Sequence, residues 1–329
     1  MNILLIGAGA VGQIYGHHLQ EGGADVTFFV REKYAAKTRE GFDLYNLNRR
    51  GGRKAPVRFD GFDVLTDMSE VAEREWHMVF LCLSSTALRS GTWLKELAAG
   101  LGDATLINLT PGIEDYALIA ELVPEAQIVS GLIGLSSYPG PLPGGLLPKP
   151  GMAYWVPPMT KMAFSGPSER ARAAAAALNA GRLPSKVVDD TRTLMAFSGP
   201  VLQFAVVALE LSHWSFQELR GKRALMALNH RATREAFVIA AKQIGEKVPL
   251  GLRMIRPWVL RLATRLAQII PPFDMALFLK MHFSKVGDQT ELGMNTLIRL
   301  AESQGNESSN IKALLGAVVE ARADSSAEP

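Results

Sequence analysis

The residues that point most directly to chemistry stand at the start of the chain. Gly7-Ala8-Gly9-Ala10-Val11-Gly12 has the spacing G-x-G-x-x-G, follows the apolar run Asn2 to Ile6 and precedes a helical pattern from Gln13 to Glu21. In that setting each glycine has a physical reason. Gly7 permits a tight turn, Gly9 lets the backbone approach a pyrophosphate, and Gly12 lets a helix pack closely on a strand. The helix start then offers unpaired N–H groups and the favourable end of its dipole to phosphate oxygens. The spacing alone also occurs in non-binding glycine turns. The strand before it, the helix after it and a second strand at Asp25–Val30 make it a dinucleotide loop, with a nicotinamide dinucleotide as the expected ligand.

The end of that second strand bears on which nucleotide. It reads Phe28-Phe29-Val30-Arg31-Glu32-Lys33. Sites for NAD usually place Asp or Glu here, to bond the ribose 2′-OH. Arg31 arrives first instead, with Lys33 nearby, and a guanidinium can bond two oxygens of a 2′-phosphate at once. Glu32 is the competing acid, and an ordinary solvated turn is the competing account of Arg31. The pair Arg31 and Lys33 favours NADP(H) over NAD.

Elements must hold these residues in place, and their pattern divides the chain. Apolar runs at Asn2–Ile6, Asp25–Val30, Met78–Leu83, Thr105–Asn108 and Gln127–Leu135 alternate with helical patterns at Gln13–Glu21, Thr86–Leu101 and Ile113–Leu122. That alternation predicts a parallel sheet covered by helices on both faces. Ser136 through Pro150 is rich in Pro and Gly and reads as a loop or irregular hairpin connection. Strand-like Gly151–Val156 and Met162–Phe164 follow. Next comes an alanine-rich helix, Ser168–Asn179, with Ser168 as N-cap and Gly181 as its stop. From Asp189 the pattern is helical: Asp190–Ser212, Lys222–Ile244, Leu252–Ile270, Asp274–Phe283, Thr290–Ser303 and Asn310–Ala321, with Asp324–Pro329 frayed. The expectation is an α/β Rossmann-type domain over 1–188 followed by an all-α domain over 189–329.

Bulk composition excludes several classes. With 35 basic and 32 acidic residues the net charge is +3, which gives no electrostatic footprint for nucleic acid. The single cysteine, Cys82, rules out an internal disulfide and suits a reducing compartment, so a cytoplasmic location is expected. Cys82 lies in an apolar strand and reads as packing rather than as a nucleophile. No stretch reads as an integral membrane span: Thr193–Leu209 is short and holds Gly199-Pro200, and Ala126–Pro148 is broken by glycines and prolines. No spacing of His, Cys and acids suggests a metal site.

The opening MNILLIGAGAVGQIYGHHLQEGGADVTFFVR resembles the start of the ketopantoate reductase (2-dehydropantoate 2-reductase) family. Leu106-Ile107-Asn108-Leu109-Thr110-Pro111-Gly112-Ile113-Glu114-Asp115 resembles a segment after one of that family's strands. Lys285-Val286-Gly287-Asp288-Gln289-Thr290-Glu291-Leu292 resembles its C-terminal T-E motif. The resemblance implies an NADPH-dependent reductase of a 2-keto acid, with substrate in a cleft between a Rossmann domain and a helical one. It also implies a lysine as the proton donor, helped by asparagines and a glutamate. Carried over residue by residue, Phe197 takes the lysine's place, and the asparagines of the same helix fall on Val201 and Ala205. The loop asparagine falls on Leu109 with Asn108 one position early, and Ser84 replaces a further lysine. The glutamate matches as Glu291. Several polar groups replaced together by apolar ones predict a greasier pocket, short of a fixed cation for a substrate carboxylate or alkoxide.

Candidate catalytic residues are therefore Glu291, Ser84, Asn108 and Thr110. Glu291 would orient substrate hydroxyls or move a proton; as a first-turn carboxylate it would also be stabilised by its helix dipole. Ser84 and Thr110 follow strands and could face a cleft at the strands' carboxyl ends, as could ordinary loop residues. Gln203 and Ser198 are the nearest polar replacements on the helix that lacks the lysine, and Gln203 reads better as a core-edge amide. His213, His230 and His282 are proton donors by chemistry alone, while His17 and His18 read as surface or packing residues. The segment Leu252–Ile270 places Arg253, Arg256, Arg261 and Arg265 among Ile, Val, Leu and Trp258. It could lie on a membrane surface or act as a lid, but packing on its own domain or a second subunit is the expectation adopted.

The function this supports is an NADP-dependent oxidoreductase acting on a small carbonyl or hydroxy compound. Ketopantoate reduction by relocated residues and non-catalytic NADP binding are the alternatives. The expected partner is a small-molecule substrate, and a helical second domain with excess apolar length is compatible with a homodimer.

Overall fold

The computed structural model describes residues 1–145, 147–253, 257–283 and 287–327. Two compact units divide at Arg192 and Thr193. In the first unit the strands are β1 (Asn2–Ile6), β2 (Asp25–Phe29), β3 (Phe42–Asn46), β4 (Val57–Phe59), β5 (Asp63–Leu65), β6 (Met78–Leu81), β7 (Thr105–Asn108), β8 (Ile128–Leu132), β9 (Ser136–Gly140), β10 (Gly151–Trp155), β11 (Met162–Ser165) and β12 (Ser185–Val187). Its helices are α1 (Ala10–Glu21), α2 (Glu32–Arg39), α3 (Met68–Ala72), α4 (Ser85–Leu88), α5 (Trp93–Ala99), α6 (Asp115–Ala120) and α7 (Ser168–Ala180).

The main sheet runs β12-β11-β8-β7-β6-β1-β2-β5, with every neighbouring pair parallel except β11 against β8. Its centre is built from strands buried on both faces, such as Ile3–Ile6 and Met78–Leu81, as a sheet covered by helices on two sides requires. The chain winds outward in both directions from β1, so β1 and β6 flank the switch point where such sheets bind ligands. This is the expected α/β nucleotide-binding architecture.

A second, four-stranded sheet, β4-β3-β10-β9, was not expected. Its β3 and β4 lie between Arg39 and Asp63, where the pattern sets no strand, and they carry Asp43 and Arg58. β3 is paired in parallel by β10, from the region beyond residue 150. An aromatic cluster of Phe28, Phe42, Phe59 and Phe62, with ring centroids 4.7–6.0 Å apart, joins this sheet to β2. The Pro/Gly-rich stretch, read as a loop or irregular hairpin connection, begins with β9, which pairs antiparallel with β10.

The second unit is helical, as expected: α8 (Thr191–Glu210, begun in the first unit), α9 (Phe216–Gly221), α10 (Arg223–Ile244), α11 (Leu250–Arg253), α12 (Pro257–Ile269), α13 (Met275–Phe283), α14 (Gly287–Gln304) and α15 (Ser309–Ala327). Its core gathers Phe204, Val207, Ala236, Ile239, Ala240, Met294, Ala301, Ile311, Leu314 and Val318, all buried. Among the described residues α8 alone is long and apolar enough to cross a bilayer; its Phe204 and Val206 to Leu209 are buried here.

Some boundaries differ from the pattern. The helix expected over Thr86–Leu101 is two, α4 and α5, parted around Gly91, whose φ of 76° is left-handed. Pro167, not Ser168, occupies the N-cap of α7, while Gly181 ends it as expected. Of the expected Leu252–Ile270 helix, Leu252 and Arg253 lie in α11 and Pro257–Ile269 form α12, while Met254, Ile255 and Arg256 lie outside the described residues. Helix α15 continues to Ala327, through residues expected to fray.

His17 and His18 are both buried on α1. The Gly181 carbonyl can only accept, so His18 Nδ1 carries the proton that reaches it at 2.6 Å, leaving Nε2 to accept from the Tyr154 hydroxyl at 3.0 Å. Burial lowers the His18 pKa to about 4 from 6.5. Between those values the unfolded chain takes a proton that the folded chain does not. Stability from this group is therefore complete above pH 6.5 and is lost as pH falls towards 4. The loss should reach about 3 kcal/mol at the acid end. Urea unfolding of wild type and His18→Gln across this range checks it; a constant difference between the two would refute it.

Candidate functional site

The loop between β1 and α1 is set by contacts of its glycines. Gly7 has φ 103°, donates to Phe29 O at 2.9 Å, and a Cβ there would lie 2.9 Å from Cys82 O. A Cβ on Gly12 would stand 2.1 Å from Gly7 O, a distance no side chain tolerates. Gly9 is different: it is exposed, and a Cβ there would meet no protein atom within 4 Å. Nothing inside the protein demands glycine at 9, so the missing side chain serves the space in front of the helix. Gly9 is the N-cap of α1 without a side-chain cap, and the first turn holds no acid. The amides of Ala10, Val11 and Gly12 precede the first helical bond, which Gln13 N makes to Gly9 O. Gln13 Nε2 holds the Ala8 carbonyl at 2.9 Å, and Ala8 and Val11 pack on the core. The result is a cradle of outward amides with a positive helix end, fit for a pyrophosphate.

At the end of β2, Arg31 is the N-cap of α2 and is exposed, as is Lys33. Both sit over the ring of Tyr34, Arg31 Cζ at 5.2 Å and Lys33 Nζ at 5.0 Å from its centroid. The sequence reading missed Tyr34. Its ring gathers two like charges in one place, through the attraction of a cation for an aromatic face.

Beyond β6 and β7 the structure gives the polar candidates local partners. Ser84 caps α4, accepting from Ala87 N at 3.2 Å, and its hydroxyl meets Thr86 Oγ1 at 2.8 Å. Asn108 is buried and its Oδ1 accepts from Thr110 N at 2.9 Å and from Thr110 Oγ1 at 2.6 Å. Thr110 is wholly buried, so it does not face open space as expected. Asp115, fully buried, was quoted only as part of a motif. It accepts from Ser85 Oγ at 2.6 Å and Gly112 N at 2.8 Å, and pairs with Arg89. One carboxylate thereby fastens the loop after β6 to the loop after β7.

In the helical unit Glu291 lies on α14 and accepts from Arg322 Nη1 at 2.7 Å. Arg322 also grips Glu210, at 2.7 and 2.8 Å, and these acids raise its pKa, the Glu210 hydrogen bonds most. Neither Arg322 nor Glu210 stood out in the sequence. Phe197 is buried against Phe237 and Ala241, its ring 5.8 Å from that of Phe237, and Val201 packs on the same cluster. These two residues fill the helical unit's own core, which corrects the greasy pocket expected from them. Gln203 Nε2 donates to Thr290 O at 2.6 Å, and His213 pairs with Glu218 at 2.9 Å. His282 lies beside Phe278 and Phe283. Lys285 and Val286 of the expected motif lie outside the described residues. Cys82 is part-buried against the core, and burial raises its thiol pKa, as packing rather than reactivity requires. Among the described residues no cluster of His, Cys, Asp and Glu could hold a metal ion.

A doubly wound sheet with a glycine cradle at its switch point has the form of a dinucleotide-binding fold, and a helical unit follows it. Residues 3–139 match the family described as ketopantoate reductase PanE/ApbA. Solved structures reproduce the fold over almost the whole length. A PanE/ApbA family ketopantoate reductase from Ralstonia eutropha is 18% identical, with a TM-score of 0.73 and 97% of each chain covered. D-mandelate dehydrogenase, solved with NADH and anilino(oxo)acetate, is also 18% identical, with a TM-score of 0.72 and 99% of each chain covered. The 2-dehydropantoate 2-reductase of Methylococcus capsulatus is 16% identical at a TM-score of 0.71, over 100% of this chain and 99% of that one. No curated protein matches the chain by sequence.

Removing Asp115 strands Arg89, Ser85 and the Gly112 amide together. Asp115→Ala should lower the unfolding free energy by about 3 kcal/mol, the low end for a broken buried ion pair because Arg89 is part-exposed. Chemical denaturation of the variant measures this, and an unchanged midpoint would refute the fastening role.

Proposed function

We propose that this protein is an NADP(H)-dependent oxidoreductase that moves hydride to or from a small carbonyl or hydroxy compound other than ketopantoate. The observation that carries the nucleotide choice is the pairing of Arg31 and Lys33 over Tyr34 at the end of β2. An acid at this place would repel a 2′-phosphate; a guanidinium bonds it bidentately and an ammonium adds charge. D-mandelate dehydrogenase, of the same fold, is solved with NADH, so the fold does not dictate the nucleotide and the preference rests on these side chains.

Gly7, Ala8, Gly9, Ala10, Val11 and Gly12 would hold the pyrophosphate, Arg31 and Lys33 the 2′-phosphate. A bound nicotinamide supplies or receives the hydride. Asn108 and Thr110, tied to each other, shape the end of β7, and Ser84 shapes the start of α4. Glu291, kept in place by Arg322, would orient a substrate hydroxyl. Phe197 supplies no proton and no positive charge, which is why ketopantoate is not the substrate proposed. The lone cysteine and the family fit a cytoplasmic enzyme, and the helical unit fits a homodimer.

Fluorescence titration separates the nucleotides. NADPH should bind more tightly than NADH, and Arg31→Ala should weaken NADPH by about tenfold or more while leaving NADH nearly unchanged. Equal affinities, or no binding of either, would sink the reading. Purified protein given ketopantoate and NADPH should oxidise NADPH at the background rate. Ordinary turnover would restore ketopantoate as substrate.

A further inference from the structure

Helix α12 presents its apolar stripe to solvent. Trp258, Leu262, Leu266 and Ile269 recur at turn spacing on one face and are 63%, 45%, 43% and 76% exposed. Arg261 and Arg265, a turn apart and exposed, flank that stripe. On the opposite side Ala267 packs on the cluster of Ala208, Leu209, Phe216, Leu219 and Met226, and at the margin the exposed Gln268 accepts from Arg220 at 2.8 Å. The helix is thus anchored by its small and polar face with its large apolar face outward. Of the two coverings expected from the sequence, its own domain or a second subunit, the first does not occur.

Charge decides what covers this face. From Lys247 to Phe273 the sequence contains Lys247, Arg253, Arg256, Arg261 and Arg265 and no carboxylate. A second copy seated with this helix on the two-fold axis would bring the segment against itself, arginine facing arginine with no acid of the segment to pair. An anionic bilayer answers both features. Its headgroups pair with the arginines, its acyl boundary takes Leu262, Leu266 and Ile269, and an indole such as Trp258 prefers the interface between the two. We propose that α12 docks the protein on membrane surfaces rich in anionic phospholipid, lying in the plane of the interface.

The test uses the full chain with vesicles of phosphatidylcholine alone, or of equal parts phosphatidylcholine and phosphatidylglycerol. The protein should sediment with the anionic vesicles only, and added salt should release it. Arg261→Ala with Arg265→Ala should weaken binding by about fivefold for each arginine removed. Tryptophan emission should shift to the blue on binding in wild type but much less in Trp258→Phe. Circular dichroism confirms that the variants remain folded, as exposed positions allow. Three results would overturn the proposal: equal binding to both vesicle types, undiminished binding of the arginine variant, or no vesicle binding. No vesicle binding together with a dimer that Leu262→Gln dissociates would give the face to a second copy.

Discussion

The first unit depends on one close approach: the Cα of Gly12 against the carbonyl of Gly7. A single methyl group at position 12 would overlap that oxygen. Because nothing intervenes, α1 begins hard against the end of β1, and its unpaired amides open at the point where the sheet reverses direction. Strand β1 is itself held between β2 and β6. The position of the cradle is therefore a property of the whole sheet, while its chemistry belongs to the backbone.

Around this fixed point the side chains do different kinds of work. Arg31 and Lys33 are exposed and gathered by an aromatic ring, so their charge remains available to a ligand. Asp115 is the opposite case, a buried charge saturated by Ser85, Arg89 and Gly112 whose effect passes through the loops it joins. Glu291 lies between the two, half-exposed yet committed to Arg322. Phe197, on α8, faces Phe237 within the helical unit. A core residue at that place leaves the helical unit stable without supplying any catalytic group.

The sequence made some of this legible and hid the rest for physical reasons. The central strands could be read because double-sided burial demands continuous runs such as Ile3–Ile6, and the glycine spacing because each glycine answers a local steric demand. Strands β3 and β4 were hidden: they are short, they carry charge, and β3 gains one of its neighbours only from β10, about a hundred residues on. The role of Asp115 was hidden likewise, since its side-chain partners stand 26 and 30 positions upstream. For α12 the periodicity correctly announced one apolar face. Periodicity states that a face is apolar and not what lies against it, so the option of burial in its own domain did not follow from it.

The hydrogen bonds of His18 also bear on the order in which this molecule is assembled. They tie α1 to Tyr154 and Gly181, 136 and 163 residues away along the chain. Both partners follow the glycine loop by well over a hundred residues, so the helix behind the loop is completed only when they are in place. Contacts of such long range are slow to close because the chain entropy is lost before the contact is gained. Until those contacts close, α1 lacks the support of Tyr154 and Gly181 behind the cradle. The shape of the loop is thereby linked to completion of the first unit.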